Sequence, residues 1–468
     1  MSTPPADSTV SRRSFIRTSS GAAIAPAVIT AATTLRAQQK ADSKNETLKI
    51  GLIGCGGRGT GAAANALGAD YNSKLVAVAD AFETQADASI AGLSAKFADR
   101  VTVAPEKKFI GLDAYQKLLA SDVDVVILAT PPGFRPLHLT AAVEAGKNIF
   151  CEKPMAVDAT GYRMAMEAVR KAKEKKLNLV AGFCWRYATS RIEAFKRVQD
   201  GAIGPILASF STYYTGPVKP MQPASGRPPG MGDVEWQMKN WYNFSWLCGD
   251  SIVEQAVHSI DKIVWAMGDK APLSCIATGG RQIPSEGGNI FDHFHAAYEW
   301  DGGIIAHLGC RQITGCQGDN SDYFTGTKGR LIIKSNGPVI DGEQRWRFRG
   351  EEKSMYDLEH DAFFSAIRKG EVINNGDRMM LSTLVAIMGR EAAYTGQRVV
   401  WEAAPPAQAV APEAPAPKKG GKQKADGGGG AASLAITTSK QDLAPDTLKF
   451  TDSFDAGPVP RPGVTKFV

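Results

Sequence analysis

The sequence lacks several features that define whole classes of protein. Its seven cysteines form no CxxC pair and show no zinc-ligand spacing, no internal repeat is visible, and no apolar run suits a multi-span membrane protein. Charge of neither sign dominates, since 54 Lys and Arg face 48 Asp and Glu. With 43% hydrophobic and 22% charged residues in a chain of 468, we expect a globular protein of two domains. The odd number of scattered cysteines predicts mostly buried thiols without disulfides.

Basic residues are concentrated at the N-terminus. Arg12 and Arg13 begin a segment that continues as an uncharged run up to Leu35 and ends in small residues around Ala37. This pattern predicts a twin-arginine export signal over residues 1–37, and therefore a periplasmic protein. The run is too rich in Ala, Thr and Ser for a stable membrane span. Cleavage after Ala37 would remove four Arg and one Asp, which lowers the net charge from +6 to +3.

A second biased segment lies near the other end of the chain. Of the 29 residues at 404–432, 24 are Ala, Pro, Gly or Lys, a composition that predicts a disordered linker. The linker carries a net charge of +2, so the folded body is close to neutral and nucleic acid is not an expected partner. Residues 433–468 contain enough apolar side chains to dock on the body as a C-terminal tail.

Between these segments the pattern predicts two domains of different kinds. Apolar runs at 48–53, 74–80, 123–130, 148–153 and 178–183 alternate with helical stretches at 60–68, 84–97, 113–120, 137–145 and 158–175. This alternation is typical of an α/β domain with a doubly wound parallel sheet, here over residues 48–181. Runs punctuated by Gly and Asn over residues 182–403 predict an α+β domain with a large, mostly antiparallel sheet. Its helices include one near residue 250 and one over 360–369.

The end of the first strand carries a dinucleotide-binding pattern. Gly54, Gly56 and Gly59 stand in G-x-G-x-x-G register directly before a helix, whose N-terminus suits a pyrophosphate. Asp80 ends the second strand, where its carboxylate can accept hydrogen bonds from ribose hydroxyls. Because a carboxylate repels a 2′-phosphate, the pattern favours NAD over NADP.

Two further strand ends converge on the same edge of the predicted sheet. One carries Thr130 and Pro131, and the other carries Glu152, Lys153 and Pro154. A lysine beside a cofactor can donate a proton or orient a substrate hydroxyl. The alternative is a surface lysine in a proline turn.

Together these motifs resemble the glucose-fructose oxidoreductase, inositol dehydrogenase and rhizopine catabolism family (Gfo/Idh/MocA). The resemblance covers roughly residues 48–401 and rests on GCGGRG, Asp80, ATPP followed by His138, the EKP of residues 152–154, the GTKG of residues 326–329 and the segment 249–261. It implies that the EKP lysine contacts both the nicotinamide ribose and the substrate. The expected cofactor-binding residues are Gly54, Cys55, Gly56, Arg58, Gly59, Asp80, Thr130, Pro131, His138, Glu152 and Lys153.

The segment GDSIVEQAVHSID supplies the expected catalytic residues. In the family a helix carries an aspartate four residues before a histidine, and here Glu254 and His258 occupy those positions. Glu254, His258 and Asp261 have the spacing of one helical face, so the carboxylates can orient the imidazole as it removes a hydroxyl proton. Lys153 would share this proton transfer. The alternative is a structural histidine, and no metal is expected, because no third ligand follows from the spacing.

Other residues are predicted to line the substrate side of the cleft. Candidates are Arg186 and Tyr187 after the last parallel strand, Trp241 and Tyr242 in KNWYNF, Asp261, and His293, which alternates with His295 on a strand. Aromatic rings suit the apolar face of a pyranose. Core packing is the alternative for each. Glu254 has a longer side chain than the aspartate that usually stands at this position in the family, so the resemblance does not define the sugar.

The predicted function is an exported, NAD-dependent oxidoreductase that acts on a sugar or sugar derivative. Since the periplasm contains little free NAD, we expect a tightly bound cofactor that is recycled within the active site. One alternative is a redox-cycling glycoside hydrolase, which oxidises a sugar carbon, eliminates the aglycone, adds water and then reduces the carbon again. Another alternative is a cofactor-stabilised binding protein without turnover. The expected partners are a carbohydrate and the twin-arginine export machinery. The resemblance also implies a homo-oligomer formed through the open face of the second sheet.

Overall fold

The computed structural model describes residues 46–283, 286–401, 432–433 and 448–466. The predicted export signal and, apart from Ala432, the predicted linker lie outside these residues. Every helix and strand described below belongs to the unit Thr47–Val468.

The first domain is built on a six-stranded parallel sheet. Its strands are β1 (Leu48–Ile53), β2 (Ser73–Asp80), β3 (Lys108–Ile110), β4 (Val125–Leu128), β5 (Asn148–Cys151) and β6 (Leu179–Ala181). They are arranged in the order β3-β2-β1-β4-β5-β6. The strand order reverses between β1 and β4, and ligands of such sheets bind at the carboxyl ends of the strands beside this reversal. The predicted doubly wound parallel sheet is confirmed; the short edge strand β3 was not foreseen.

Helices cover both faces of this sheet. They are α1 (Gly57–Ala69), α2 (Glu83–Phe97), α3 (Ala114–Leu119), α4 (Arg135–Glu144) and α5 (Ala159–Glu174). All four side chains of β4 are fully buried, as expected for a central strand covered on both sides. The α5 helix begins where the Asp158 carboxylate accepts a hydrogen bond from the Gly161 amide at 2.7 Å, a standard N-cap.

A ten-stranded mixed sheet forms the second domain. Its strands are β7 (Ile206–Thr215), β8 (Ser274–Gly280), β9 (His293–Trp300), β10 (Ile304–Gln312), β11 (Asp322–Gly326), β12 (Gly329–Lys334), β13 (Gly337–Gly342), β14 (Trp346–Arg347), β15 (Val399–Val400) and β16 (Ala432–Ser433). The order is β14-β13-β12-β11-β7-β10-β9-β8-β15-β16. Most neighbours are antiparallel, as predicted, whereas β7 with β10 and β15 with β16 are parallel.

Seven helices accompany the second sheet in the described residues. They are α6 (Thr189–Gln199), α7 (Asp233–Lys239), α8 (Ser245–Cys248), α9 (Ser251–Glu254), α10 (Val257–Ala266), α11 (Met355–Lys369) and α12 (Gly376–Thr395). The α12 helix packs against β8 and β9, and most of its residues are buried. A helix buried on nearly all sides shows no amphipathic period, which is why sequence patterning missed it.

The α11 helix returns to the first domain and packs on α1, the helix that follows the glycine-rich turn. It begins at Met355, five residues before the predicted start, because the Ser354 hydroxyl caps it by accepting a hydrogen bond from the Asp357 amide at 3.3 Å. The residues around Tyr356 are thereby held at the cofactor edge of the first sheet.

Among the described helices, none is both long enough and apolar enough to cross a membrane. All seven cysteines are free; six are buried and Cys316 is exposed. The expectation of mostly buried thiols without disulfides is therefore met. Burial raises the pKa of Cys151 to about 12, so this thiol stays protonated.

Candidate active site

The glycine-rich turn after β1 leaves an open cradle at the N-terminus of α1. Gly54 has φ +93°, and a Cβ at position 59 would lie 1.9 Å from the carbonyl oxygen of Gly54, so both positions require glycine. Gly56 is different, because a Cβ there would meet nothing within 4 Å. The space in front of Gly56 and the free amides of the helix start fit the pyrophosphate of a dinucleotide.

The Asp80 carboxylate at the tip of β2 holds the adjoining loops in place. Its Oδ2 accepts a hydrogen bond from the Cys55 amide at 2.6 Å, and its Oδ1 accepts one from the Phe82 amide at 2.8 Å. Burial raises the pKa of Asp80, whereas these backbone donors act in the opposite direction. Asp80 still lines the cleft, where its remaining lone pairs can accept hydrogen bonds from a ribose.

Arg135, which sequence reasoning missed, ties two strand tips together. Its buried guanidinium donates to the carbonyl oxygens of Thr130 and Pro154, which follow β4 and β5. Beside it, the Thr130 hydroxyl and His138 Nδ1 are 3.0 Å apart. Burial, together with the Arg135 charge, lowers the pKa of His138 to about 3, so this imidazole is neutral. Arg135 thus links the ends of β4 and β5, which carry predicted cofactor-binding residues.

The EKP segment presents two charged side chains that have different partners. The Glu152 carboxylate pairs with Arg58 of α1 at 2.9 Å, and the Arg58 guanidinium lies 4.9 Å from the centre of the Tyr356 ring. The Lys153–Pro154 peptide bond is cis. Glu152 thus pairs within the first domain, whereas Lys153 pairs with Glu254 of the second.

Lys153 and Glu254 form a buried pair between the two domains. The Lys153 Nζ lies 3.0 Å from Oε1 of Glu254 and also donates to the main-chain oxygen of Glu254. Only 9% and 7% of the two side chains are exposed. Two hydrogen bonds of the ammonium are therefore accepted by a single residue of the second domain, 101 positions along the chain.

His258 lies in the same cleft, but the helix that carries it differs from the prediction. The segment 249–261 is two short helices, α9 and α10, which are separated at Gln255 and Ala256, so Glu254 and Asp261 do not share one face. His258 Nδ1 is buried and has no hydrogen-bond partner in the described part of the chain. Burial lowers the pKa of His258 well below 6.5, and the charges of Lys153 and Lys262 lower it further.

The break in the helix places Gln255 at the centre of a polar network. The Gln255 amide donates to the Tyr242 hydroxyl at 2.9 Å and to the Glu254 carboxylate, and its oxygen accepts from the Tyr213 hydroxyl at 2.8 Å. Gln255 and Tyr213 escaped sequence reasoning, because a glutamine in a helix and a tyrosine in a strand carry no local signature. The network fixes the Glu254 carboxylate that holds Lys153.

All these groups line one cleft of about 770 Å³ between the domains. Of the residues predicted from sequence, the cleft lining includes Gly54, Gly56, Arg58, Gly59, Asp80, Thr130, Pro131, His138, Glu152, Lys153, Trp241, Tyr242, Glu254 and His258. The Cys55 side chain is not among them, because its buried thiol points to the carbonyl oxygen of Ala79 at 3.7 Å. The cleft has the size and the mixed polar and aromatic walls of a site for a cofactor with a small substrate.

Comparison with known proteins places the first domain in a family. Residues 48–183 match the model of an oxidoreductase family with an NAD-binding Rossmann fold, GFO_IDH_MocA. Residues 48–183 belong to the Gfo/Idh/MocA family. Inositol 2-dehydrogenase from Rhizobium meliloti is 26% identical over 339 residues, which cover 70% of this chain and 91% of that protein. The corresponding enzyme of Acidothermus cellulolyticus is 24% identical over 325 residues, 69% of this chain and 84% of that protein. The first domain is thus similar to an oxidoreductase family, and 70% of the chain is similar to an inositol 2-dehydrogenase.

Solved structures share the fold of both domains. Levoglucosan dehydrogenase in complex with NADH and levoglucosan superposes with a TM-score of 0.60 at 19% identity, covering 75% of this chain and 99% of that one. The aldose-aldose oxidoreductase of Caulobacter crescentus, complexed with glycerol, gives a TM-score of 0.59 at 19% identity, with coverage of 76% and 100%. At this identity the similarity concerns the fold.

Four residues that we expected to contact the substrate do not line the cleft, and that expectation is corrected. The Arg186 guanidinium is buried in ion pairs with Asp261 at 2.8 Å and Asp269 at 2.7 Å. The Tyr187 hydroxyl accepts from Asn375 at 2.8 Å, and His293 contacts Asp292 at 2.7 Å. The buried Arg186 and Asp261 thus satisfy each other's charges, as buried ionised groups must, and the polar groups of Tyr187 and His293 also have partners outside the cleft.

Proposed function

We propose that the protein oxidises a hydroxyl-bearing carbon of a sugar or polyol, with His258 as the base and Lys153 as the group that orients the hydroxyl. The observation that carries the proposal is the Lys153–Glu254 pair beside His258, in a cleft whose other end is the glycine cradle. The names of the similar proteins, inositol 2-dehydrogenase and levoglucosan dehydrogenase, support a polyhydroxylated substrate.

The reaction removes a hydride and a proton from the substrate. A hydride leaves the carbon and a proton leaves its hydroxyl group, and a bound nicotinamide supplies the hydride acceptor. His258 can take the proton because its imidazole is neutral. Lys153, held by Glu254, can donate a hydrogen bond to the same hydroxyl oxygen and stabilise its negative charge as the proton departs.

Trp241 and Tyr242 form an aromatic wall for the substrate. Their ring centres are 4.0 Å apart, and both residues line the cleft. Aromatic faces pack well against the C–H face of a cyclic sugar. The Tyr242 hydroxyl bonds Gln255, so the wall is positioned by the same network that holds Glu254.

The low pKa of His258 predicts an unusual pH profile. An unperturbed histidine becomes protonated as pH falls through 6.5, and a protonated imidazole cannot accept the hydroxyl proton. Because burial and nearby cations lower the pKa of His258, we expect kcat/KM to fall only at pH values below 6.5. A pH profile of kcat/KM measures this directly. An acidic limb centred at or above pH 6.5 would contradict the assignment of His258 as the base.

We also propose that NAD, rather than NADP, is the cofactor, because the Asp80 carboxylate lies in the cleft. The change Asp80→Asn removes the negative charge and keeps an oxygen acceptor for a backbone amide. Since like charges placed together cost several kcal/mol, we expect the preference for NADH over NADPH to fall by about tenfold or more. Fluorescence titration with both nucleotides gives the two Kd values. Asp87→Asn on the exposed side of α2 is the control, and an unchanged preference in Asp80→Asn would refute the role of the carboxylate.

Export and retention of the cofactor complete the proposal. The Arg12-Arg13 segment supports export by the twin-arginine route, which carries folded proteins, and a periplasmic enzyme needs a cofactor that stays bound. N-terminal sequencing of the periplasmic protein should find a chain that begins after Ala37. The absorbance spectrum of this protein should show a co-purified nicotinamide nucleotide, and its absence would refute retention.

A substrate panel without added NAD tests the reaction class. Free sugars and aryl glycosides are incubated with the purified protein, together with a carbonyl acceptor. Oxidised sugar is the expected product. Release of the aryl group from the glycosides would show the redox-cycling hydrolase instead, and no reaction with any compound would indicate a binding protein.

We propose that the protein is a homo-oligomer assembled through the outer face of the second sheet. Phe210 and Ile276 are 40% and 47% exposed and lie in one cross-strand row with Ala297 and His307. His307 and His295 are hydrogen-bonded at 3.2 Å on the same face. Light scattering during gel filtration measures the mass, and a monomeric mass would refute this assembly.

A further inference from the structure

The C-terminal segment Leu448–Ala456, which we call the strap, contacts the cofactor end of the cleft. The Phe450 ring stacks on Phe82 with centres 5.5 Å apart and planes inclined by 21°. Phe82 follows Asp80 by two residues, donates its amide to that carboxylate, and lines the cleft. The strap therefore supports the loop that carries the predicted ribose-binding residue.

The strap also binds the opposite wall, in the second domain. The Asp233 carboxylate accepts hydrogen bonds from the Ser453 hydroxyl and the Phe454 amide, both at 3.1 Å. The Gln237 amide donates to the Phe454 carbonyl oxygen at 2.7 Å. The Phe454 ring packs edge-on against Trp246 at 5.0 Å. These contacts anchor the strap to α7 and α8.

The two sets of contacts meet in one apolar cluster. Its buried members are Phe134, Val234, Met238, Phe244 and Leu247, and it also includes Phe82, Leu112, Trp241 and Trp246 together with Leu448, Phe450, Phe454 and Ala456 of the strap. Phe82, Leu112 and Phe134 come from the first domain, whereas Val234 to Leu247 come from the second. Several of these residues line the cleft on their other side. The walls cannot separate without exposing apolar strap surface to water.

We propose that the strap clamps the two walls of the cleft and retains the cofactor. The inference rests on the proposed binding of NAD. When the strap is docked, the Asp80–Phe82 loop and α7 stay together, and cofactor release requires the strap contacts to open. Coupling between two sites is reciprocal, so a bound cofactor must in turn hold the strap on the body.

Gly232 offers a substitution that acts on the strap alone. Its φ of −67° and ψ of 163° suit any L-residue, but a Cβ would lie 2.0 Å from the Phe450 carbonyl oxygen and 2.8 Å from the Thr451 Cα. Gly232→Ala therefore pushes the strap away from α7 without altering a residue of the cleft. Gly226→Ala is the matched control, because a Cβ at that position would meet nothing within 4 Å.

The experiment measures NADH dissociation from the full-length protein by stopped-flow fluorescence with excess NAD as trap. We expect Gly232→Ala to release NADH about tenfold faster than the wild type, a size typical of coupled sites, and Gly226→Ala to behave as the wild type. Phe450→Ala, which removes the stack on Phe82, should act in the same direction. It serves as the second variant if Gly232→Ala does not fold.

A second measurement follows the strap itself without any turnover. Trypsin binds its substrates as extended segments, so cleavage after Lys449 requires Phe450 to leave Phe82 and reports undocking of the strap. In the absence of cofactor we expect faster cleavage in Gly232→Ala than in the wild type, and NAD should slow cleavage of the wild type. If the wild type binds no NADH at all, the proposed function fails. If NADH binds but leaves both strap variants at the wild-type rate, the clamp is refuted while the proposed function stands.

Discussion

Removal of the Lys153 ammonium is expected to lower kcat by about 10²- to 10³-fold, the loss typical of removing one donor that stabilises a developing negative charge on oxygen. Lys153→Met alone would leave the Glu254 carboxylate buried without its partner, which costs stability. The cleaner variant is therefore Lys153→Met combined with Glu254→Gln, which removes both charges. Steady-state kinetics with a sugar substrate, together with the Tm, separates lost catalysis from lost folding.

Two control variants test whether the loss of kcat is specific to Lys153. Lys117→Met changes a lysine that is about half exposed on the first domain, and it should leave kcat unchanged. Glu254→Gln alone keeps Lys153 but weakens its anchoring, so we expect a smaller decrease in kcat than in the paired variant. A paired variant that folds and retains the wild-type kcat would remove Lys153 from the reaction.

The change Gly56→Val is expected to weaken NAD binding by at least about a hundredfold, or roughly 3 kcal/mol, while the protein remains folded. Gly56 has φ −66° and ψ 179°, an extended conformation that valine adopts readily, and a Cβ there meets no protein atom within 4 Å. The added methyl groups instead occupy the space that a pyrophosphate needs at the start of α1. Fluorescence titration with NADH gives the Kd, and thermal denaturation gives the Tm.

The matched control for this variant is Gly68→Ala, at the far end of the same helix, where a Cβ also meets nothing within 4 Å. Its Kd should equal that of the wild type. Unchanged NADH affinity in Gly56→Val would show that the pyrophosphate does not occupy the cradle. A lowered Tm in Gly56→Val would show that the turn, rather than the ligand, excludes larger residues.

Contiguous motifs were the predictable part of the site. GCGGRG, Asp80 and the EKP segment each lie where one strand ends, so a local pattern places them at the carboxyl edge of the sheet. The helical spacing of Glu254 and Asp261 was a weaker guide. It assumed one regular helix, whereas the chain breaks at Gln255, and the break turns Asp261 into the buried partner of Arg186.

Other residues were beyond sequence reasoning because their roles depend on distant partners. Arg135 acts through two carbonyl oxygens on separate strand tips, and Gln255 acts through tyrosines on β7 and after α7. Neither residue stands in a motif. Their importance follows from which elements the fold brings within hydrogen-bond distance.

The sequence by itself determined the parallel sheet, the dinucleotide cradle and the identity of the charged residues at the strand tips, because strand and turn preferences act over a few neighbouring residues. Only the tertiary structure decided that Lys153 meets Glu254 across the domain boundary, that burial beside Lys153 keeps His258 neutral, and that the strap reaches the loop after Asp80. These three depend on packing between segments far apart in the chain, where desolvation and close contact set the chemistry of each side chain.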